Sequence, residues 1–79
     1  MARIIDGEKM NLIGKQVKKF HTEQRMSQQQ LSAKLETIAV YICRGSISRI
    51  EDQTRTVSDI ELWGLAQILD KPIQSFFEE

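Results

Sequence analysis

Small, hydroxyl-bearing and guanidinium side chains share one side of a short helix that we predict from about Arg44 to about Asp52. Ile47 and Ile50 lie three residues apart among polar neighbours, so they define the buried side of this helix. At 100° per residue, the opposite side carries Gly45, Ser48, Arg49 and Asp52. Arg44 lies at the helix start, where its long side chain can reach forward to the same surface. Arginine can donate two parallel hydrogen bonds to guanine, and serine can donate or accept one. We therefore expect this side to face the edges of DNA bases.

Several of these residues also have a simpler interpretation. Arg44 and Arg49 are compatible with solvated surface charges, and Gly45 with a frayed helix start instead of a close approach of the backbone to DNA. Asp52 would be repelled by phosphates. We expect it to end the helix and to pair loosely with Arg55 or Arg49.

A second group of polar residues opens the preceding helix and is suited to phosphates. Ser27, followed three residues later by Gln30, is a capping-box pattern that predicts a helix start at Ser27. The free backbone N–H groups of such a start, together with the amides of Gln28 and Gln29, can donate to a phosphate. We expect phosphate contacts from these residues, foremost from Gln28, and from Arg55. The alternative is that the glutamines only form helix surface.

The helix that precedes these two helices in the sequence is predicted from just after Asn11 to about Arg25. Asn11 is a good amino-terminal cap, and Ile13, Val17 and Phe20 follow at the spacing of one buried helical stripe. The first ten residues are expected to form a loose arm. Its two isoleucines are expected either to pack on the core or to contact a second copy.

Between the two polar groups, the sequence leaves the backbone open to two interpretations. Leu31 and Leu35 form the buried pair of the second helix. Residues 36–42 contain no glycine or proline to force a tight turn, so they either extend this helix or form a long loop.

Two further helices are predicted near the carboxyl end. Ser58 with Glu61 is a second capping box, and it begins a fourth helix that buries Ile60 or Leu62. A final short helix follows a proline and places Phe76 in the core. With five short helices and no convincing strand, the whole chain is predicted to be one all-α domain.

Composition excludes several classes of protein. The single cysteine rules out an internal disulfide framework and fits a reducing cytoplasm. The lone histidine, His21, is expected on the surface. With one thiol and one imidazole there is no nucleophile–base pair and no metal-ligand spacing, so we expect neither an enzyme nor a metal or cofactor. No apolar run approaches the ~18 residues of a membrane span.

Net charge is zero overall but unevenly distributed. Residues 1–55 hold ten Lys/Arg against six Asp/Glu, a net charge of +4, and residues 56–79 hold one against five, a net charge of −4. A basic amino-terminal part is suited to face phosphates while the acidic end points away. Chance is the alternative in so small a chain.

The order of these residues resembles the phage-repressor and Cro-like (lambda-repressor-like) helix-turn-helix family over roughly residues 11–77. The resemblance rests on groups of residues at matching spacing: Ile13-Gly14 with Val17 and Phe20, Ser27-Gln28 with Leu31-Ser32 and Leu35, Ile47 to Glu51, Val57 to Leu62, Leu65-Ala66 with Leu69, Pro72, and Phe76-Phe77. It implies a compact five-helix domain that binds a palindromic operator in double-stranded DNA as a homodimer. It further implies a transcriptional regulator, by our expectation a repressor, in the cytoplasm of a prokaryote and encoded by it or by a phage.

Two features depart from that family pattern. The segment from Glu36 to Cys43 is longer than the usual turn between the motif helices, as in a subset of the family, so the reach of the third helix is less well defined by the resemblance. Cys43 also stands where Ser, Thr or Asp would be expected, and a thiol is a poor helix cap.

Two other functions fit the same fold. One is a protein-interaction module that keeps this fold without reading DNA, and the other is an antitoxin that also neutralises a toxin protein. Trp63, Phe76 and Phe77 would supply an apolar surface for such a partner near the carboxyl end. The alternative is that Phe76 is core and that the others are core or part of a homodimer contact.

Overall fold

The computed structural model describes residues 9–78, and helices account for all of their regular secondary structure. They form α1 (Gly14–Glu23), α2 (Gln28–Glu36), α3 (Arg44–Glu51), α4 (Asp59–Leu69) and a terminal 3-10 helix (Ile73–Phe77). The prediction of an all-α domain is confirmed over this part of the chain. The fifth predicted helix is a single 3-10 segment, so residues 9–78 contain four α-helices instead of five. Most of the expected amino-terminal arm, residues 1–8, lies outside the described residues.

The Asn11 side chain joins the start of α1, where Ile13 and not the predicted Asn11 is the N-cap residue, to the end of α3. The Asn11 Oδ1 atom accepts from the backbone N–H groups of Ile13 at 3.1 Å and Gly14 at 2.8 Å. Its Nδ2 atom donates to the carbonyl oxygens of Ile50 at 3.1 Å and Arg55 at 2.8 Å. One side chain therefore satisfies groups on both sides of the contact between these helices.

The backbones of α1 and α3 come close together at Gly14. A Cβ atom added there would lie 2.1 Å from the carbonyl oxygen of Ile50, a distance that backbone atoms cannot tolerate. The absence of a side chain at Gly14 therefore sets how near α3 lies to α1. At its other end α1 stops at Glu23, earlier than predicted, because Arg25 adopts a left-handed φ of 58°.

Both predicted capping boxes are confirmed. Ser27 Oγ accepts from the Gln30 N–H at 3.1 Å, and Gln30 Oε1 accepts from the Ser27 N–H at 2.8 Å. Ser58 and Glu61 repeat this arrangement at the start of α4, with distances of 3.2 and 3.0 Å. The sequence signal thus locates both helix starts correctly.

One apolar core holds the helices together. It contains the predicted stripes of α1, α2 and α3, and its members are Ile13, Val17, Phe20, Leu31, Leu35, Val40, Ile42, Ile47, Ile50, Leu65, Ala66, Leu69 and Phe76. The Phe20 and Phe76 rings meet edge to face, with centroids 5.2 Å apart. On α4, Leu62 packs against this core, whereas Ile60 is 65% exposed. The choice left open between these two residues is therefore settled in favour of Leu62.

Residues 37–43 form a loop and do not extend α2. Ala39 adopts a left-handed φ of 62°, which turns the chain after the end of α2. Val40 and Ile42 are buried in the core, and Ser32 Oγ donates to the Ile42 carbonyl oxygen at 2.7 Å. The lengthened loop is thus anchored to the domain at two apolar residues and one hydrogen bond. No helix of the described chain has the length and apolar character needed to cross a membrane.

Candidate nucleic-acid interface

The packing of α3 confirms the predicted division of its sides. Ile47 and Ile50 are 0% and 1% exposed, so the helix is held against the core on one side. Arg44, Gly45 and Arg49 are exposed on the other, where Ser48 is half-buried. Asp52 is the residue that ends the helix, also as predicted. The guanidinium-bearing side of α3 is consequently open to solvent.

Gly45 lies in an uncrowded position at the start of α3. A Cβ atom added there would have Arg49 Nη1 as its nearest neighbour, 3.9 Å away. Its φ is not positive, so neither space nor backbone conformation within the domain requires glycine. A glycine early in a helix costs about 1 kcal/mol relative to alanine. Close approach by an external molecule is a physical reason to omit the side chain.

The first turn of α3 gathers hydrogen-bonding groups at its exposed surface. Arg49 Nη2 donates to Ser46 Oγ at 3.3 Å, which lays the guanidinium back over this turn. Cys43 precedes the turn and makes no side-chain cap, as its residue type predicted. Its thiol hydrogen-bonds with Ser46 Oγ at 3.3 Å. Chiefly through that hydroxyl, and then through the Ser46 N–H, the pKa of the exposed Cys43 thiol is lowered.

An open groove runs between the start of α2, the 37–43 loop and α3. Its lining is mostly polar and comprises Gln28, Gln29, Ser32, Glu36, Tyr41, Ile42, Cys43, Arg44, Gly45, Ser46, Ser48 and Arg49. All four residues predicted to face bases line this groove, together with Gln28 and Gln29 from the predicted phosphate group. The structure therefore brings these two sets of residues onto one surface.

Tyr41 belongs to this surface although sequence reasoning did not assign it. It is 75% exposed, and its neighbours Val40 and Ile42 are 3% and 2% exposed. Alternating burial turns its ring outward from the loop and into the groove lining. The alternation of apolar residues in 38–42 was the signal that could have identified Tyr41.

Among the predicted phosphate contacts, Ser27 and Gln28 already have intramolecular partners. Ser27 Oγ serves the capping box. Gln28 Nε2 donates to Glu51 Oε1 at 3.0 Å, so its amide is fixed at the junction of α2 and α3. Gln29 is exposed. These residues surround the start of α2, whose first turn contains no acidic residue.

Arg55 is held by another part of the molecule. Its Nη1 and Nη2 atoms donate to Glu61 Oε1 at 3.0 Å and to Glu61 Oε2 at 2.7 Å. This bidentate pair raises the pKa of the guanidinium, and it lowers the pKa of the Glu61 carboxyl. Arg55 is not among the residues that line the groove. The expected pairing of Asp52 with Arg55 or Arg49 was wrong, since Arg55 pairs with Glu61 and Arg49 bonds to Ser46.

The expectation of a surface histidine was also wrong. His21 is 6% exposed and lies at the contact between α1 and α3. Its Nε2 atom is 2.7 Å from Glu51 Oε2, and its Nδ1 atom is 2.6 Å from the Met26 carbonyl oxygen. Its position one turn after Val17, adjoining the buried stripe of α1, was the available sequence signal.

Within residues 9–78, no group of three or more His, Cys, Asp or Glu side chains is placed to hold a metal ion. Every buried side-chain nitrogen or oxygen atom of this part of the chain has a hydrogen-bond partner.

No protein-family model matches the sequence, and no curated protein matches it either. The case for a function therefore depends on the geometry of α2, α3 and the groove.

Proposed function

We propose that the chain is a sequence-specific DNA-binding regulator of transcription, by preference a repressor, in which α3 enters the major groove. The observation that carries the proposal is the arrangement of α3, anchored by Ile47 and Ile50 and open along its arginine-bearing side. The major groove is about 12 Å wide and admits one helix, whose first residues come nearest to the bases. We also propose that the chain has the helix-turn-helix fold of the lambda-repressor-like family.

Base contacts are assigned to the exposed side of α3. Arg44 and Arg49 are suited to guanine, and each bidentate pair contributes about 1–3 kcal/mol of discrimination. Ser48 adds a weaker contact, while Gly45 lets the backbone approach the groove floor. We also expect Tyr41, which lines the same groove, to contact the sugar-phosphate backbone or a base of the DNA.

Phosphate contacts are assigned to the start of α2. Its backbone N–H groups and positive helix end face an anion without competition from an acidic first turn. Ser27, Gln28 and Gln29 surround this end, and Gln28 is held in place by Glu51. Arg55 contributes to phosphate binding only when its guanidinium leaves Glu61, so it is the weakest member of the set.

Pairing of two copies on a palindromic operator is the third part of the proposal. Ile73 and Phe77 on the terminal 3-10 helix are 44% and 51% exposed, which supplies apolar surface for a homodimer contact. Two copies of α3 would then occupy successive major grooves about 34 Å apart. Such an assembly would act at a promoter in the cytoplasm, where nucleoid DNA is accessible.

Binding to a second protein is the alternative, and exposure on α4 favours it. Ile60 is 65% exposed and Trp63 47% exposed, one turn apart on the same helix. An antitoxin would use such a surface for a toxin while keeping the DNA-binding groove. A protein-interaction module would use it without binding DNA.

Selection of bound duplexes from a random pool, followed by a salt titration, tests the proposal. We expect enrichment of a palindromic sequence and an affinity that falls linearly on a log–log plot against salt. An unenriched pool and no salt-sensitive binding would overturn the proposal in favour of the interaction module.

A further inference from the structure

A buried hydrogen-bond network lies directly behind the proposed DNA-contacting surface and joins three helices. His21 on α1 contacts Glu51 on α3, and Glu51 in turn accepts from Gln28 on α2. The side chains of His21 and Glu51 are 8% and 6% exposed. Gln28, the last member, lines the groove. The position of a proposed phosphate contact is therefore set by a pair of buried ionisable groups.

The geometry of the histidine determines how many protons the pair holds. His21 Nδ1 faces a carbonyl oxygen, which only accepts, so this nitrogen carries a proton. His21 Nε2 lies 2.7 Å from a Glu51 carboxyl oxygen, and a contact this short requires a second proton between the two atoms. With Glu51 Oε1 already accepting from the Gln28 amide, this second proton lies between His21 Nε2 and Glu51 Oε2.

Among the described residues, Glu51 is the ionisable side chain that contacts His21. Elsewhere on α1 and just beyond it, Lys18 and Arg25 are exposed, as is Lys34 on α2. Beyond α3, Asp52 is exposed and Arg55 is engaged by Glu61. From the carboxyl-terminal side, Lys71 lies over the Phe20 ring with its Nζ 5.0 Å from the ring centroid. The state of the pair thus depends mainly on its own two members and on Gln28.

We propose that His21 and Glu51 act as positioning residues for Gln28, and that the proton they share couples DNA affinity to pH. This inference rests on the proposed DNA-binding function. When the shared proton leaves, the unprotonated Nε2 atom and the carboxylate oxygen repel each other at 2.7 Å. Glu51 then moves away from the ring, and the Gln28 amide loses its fixed position at the start of α2.

The direction of the pH effect follows from proton counting. The ordered network holds one proton more than the separated side chains, so raising the pH favours separation. DNA affinity should therefore fall as the pH rises.

The variant Glu51→Gln separates the effect of the shared proton from other effects of pH on DNA affinity. The amide that this substitution introduces can donate to the unprotonated Nε2 atom and still accept from Gln28, so the network forms without the extra proton. The exposed Cys43 thiol, whose pKa is lowered, titrates equally in both proteins. A difference between their pH profiles consequently reports on the His21–Glu51 pair.

The experiment measures affinity for a selected duplex at constant salt, from about pH 5.5 to about pH 8.5. We expect the wild-type affinity to fall by about tenfold more than that of Glu51→Gln, the equivalent of one hydrogen bond to a charged group. Parallel profiles that differ by less than about twofold would overturn the inference, although DNA binding itself would stand.

A measurement without DNA keeps the test independent of the proposed function. The chain has a single histidine, so its ring ¹⁵N signals are unambiguous. We expect two protonated ring nitrogens in the folded wild type at about pH 6 and one in Glu51→Gln. The same ring state in both proteins would contradict the inference. Absence of DNA binding at every pH, with the expected ring states, would instead remove the proposed function and leave the buried network.

Discussion

The starts of α2 and α4 have the same capping geometry but differ in the acidic residues of their first turns. Each has a serine cap and a reciprocal capping box, and in each the cap residue has an extended backbone. The first turn of α4 contains Asp59 and Glu61, and Glu61 holds Arg55 in a bidentate pair. The first turns of α2 and α3 contain no acidic residue.

Capping geometry alone therefore does not mark a binding surface. At α4 the positive helix end is neutralised by the protein's own carboxylates, so an external anion has little to gain there. At α2 the first turn has no acidic residue of its own, its one carboxylate contact is Glu51 through the Gln28 amide, and it lies beside a groove that contains Arg44 and Arg49. We propose that DNA binds at this less neutralised surface. We call the start of α2 together with the exposed side of α3 the open end, and the start of α4 the closed end.

The largest expected effect concerns the anchor of the open end. Ile47→Ala should lower the free energy of unfolding by about 2–5 kcal/mol, because it removes a fully buried side chain beneath α3. Ile60→Ala, on the exposed side of α4, is the matched control and should change it by less than about 0.5 kcal/mol. Chemical denaturation measures both, and equal losses would contradict the described packing.

Removing a guanidinium from the open end should affect binding and spare stability. Arg49→Ala should cost about 1–3 kcal/mol of specific DNA binding, measured against a duplex altered in the half-site. Lys34→Ala removes another exposed positive charge, on α2, that does not line the groove, and it should leave discrimination unchanged. If both variants lose the same affinity, Arg49 acts only through net charge.

Gln28→Ala should weaken binding to all DNA sequences about equally, by about 1 kcal/mol, since phosphates carry no sequence information. Its control is Gln67→Ala, a like substitution at an exposed position of α4. Competition titrations with specific and unrelated duplexes measure the effect. A loss confined to one base position would make Gln28 a base contact instead.

The smallest effect is expected at the closed end. The pKa of Glu61 is lowered, chiefly by Arg55, so its contribution to stability is present above the ordinary glutamate pKa and is lost as the pH falls through the lowered value. Glu61→Gln should therefore cost about 1 kcal/mol near neutral pH and nothing in acid. Denaturation at several pH values measures this. A constant loss at every pH would show that the ion pair is not responsible.

Local signals predicted most of the fold. Ser27 with Gln30 and Ser58 with Glu61 place two helix starts, because each capping box is contained within four residues. The spacing of Ile47 and Ile50 likewise predicts which side of α3 is buried, and hence which side carries Arg44 and Arg49.

Contacts between distant parts of the chain were beyond such signals. His21 was misplaced because its partner, Glu51, lies on another helix and only the packing of α1 against α3 brings them together. The expected pairing of Arg55 with Asp52 was wrong for the same reason, since the sequence does not indicate that Arg55 reaches Glu61. Tyr41 was missed because the path of the 37–43 loop is set by its contacts with the core.

Amide chemical-shift changes on titration with a selected duplex compare the open and closed ends within one experiment. We expect the largest changes at Gln28, Gly45 and Ser48, and small ones at Asp59 and Ile60. Changes centred on the first turn of α4, with the start of α2 and the exposed side of α3 unaffected, would show that α3 is not the helix that enters the major groove.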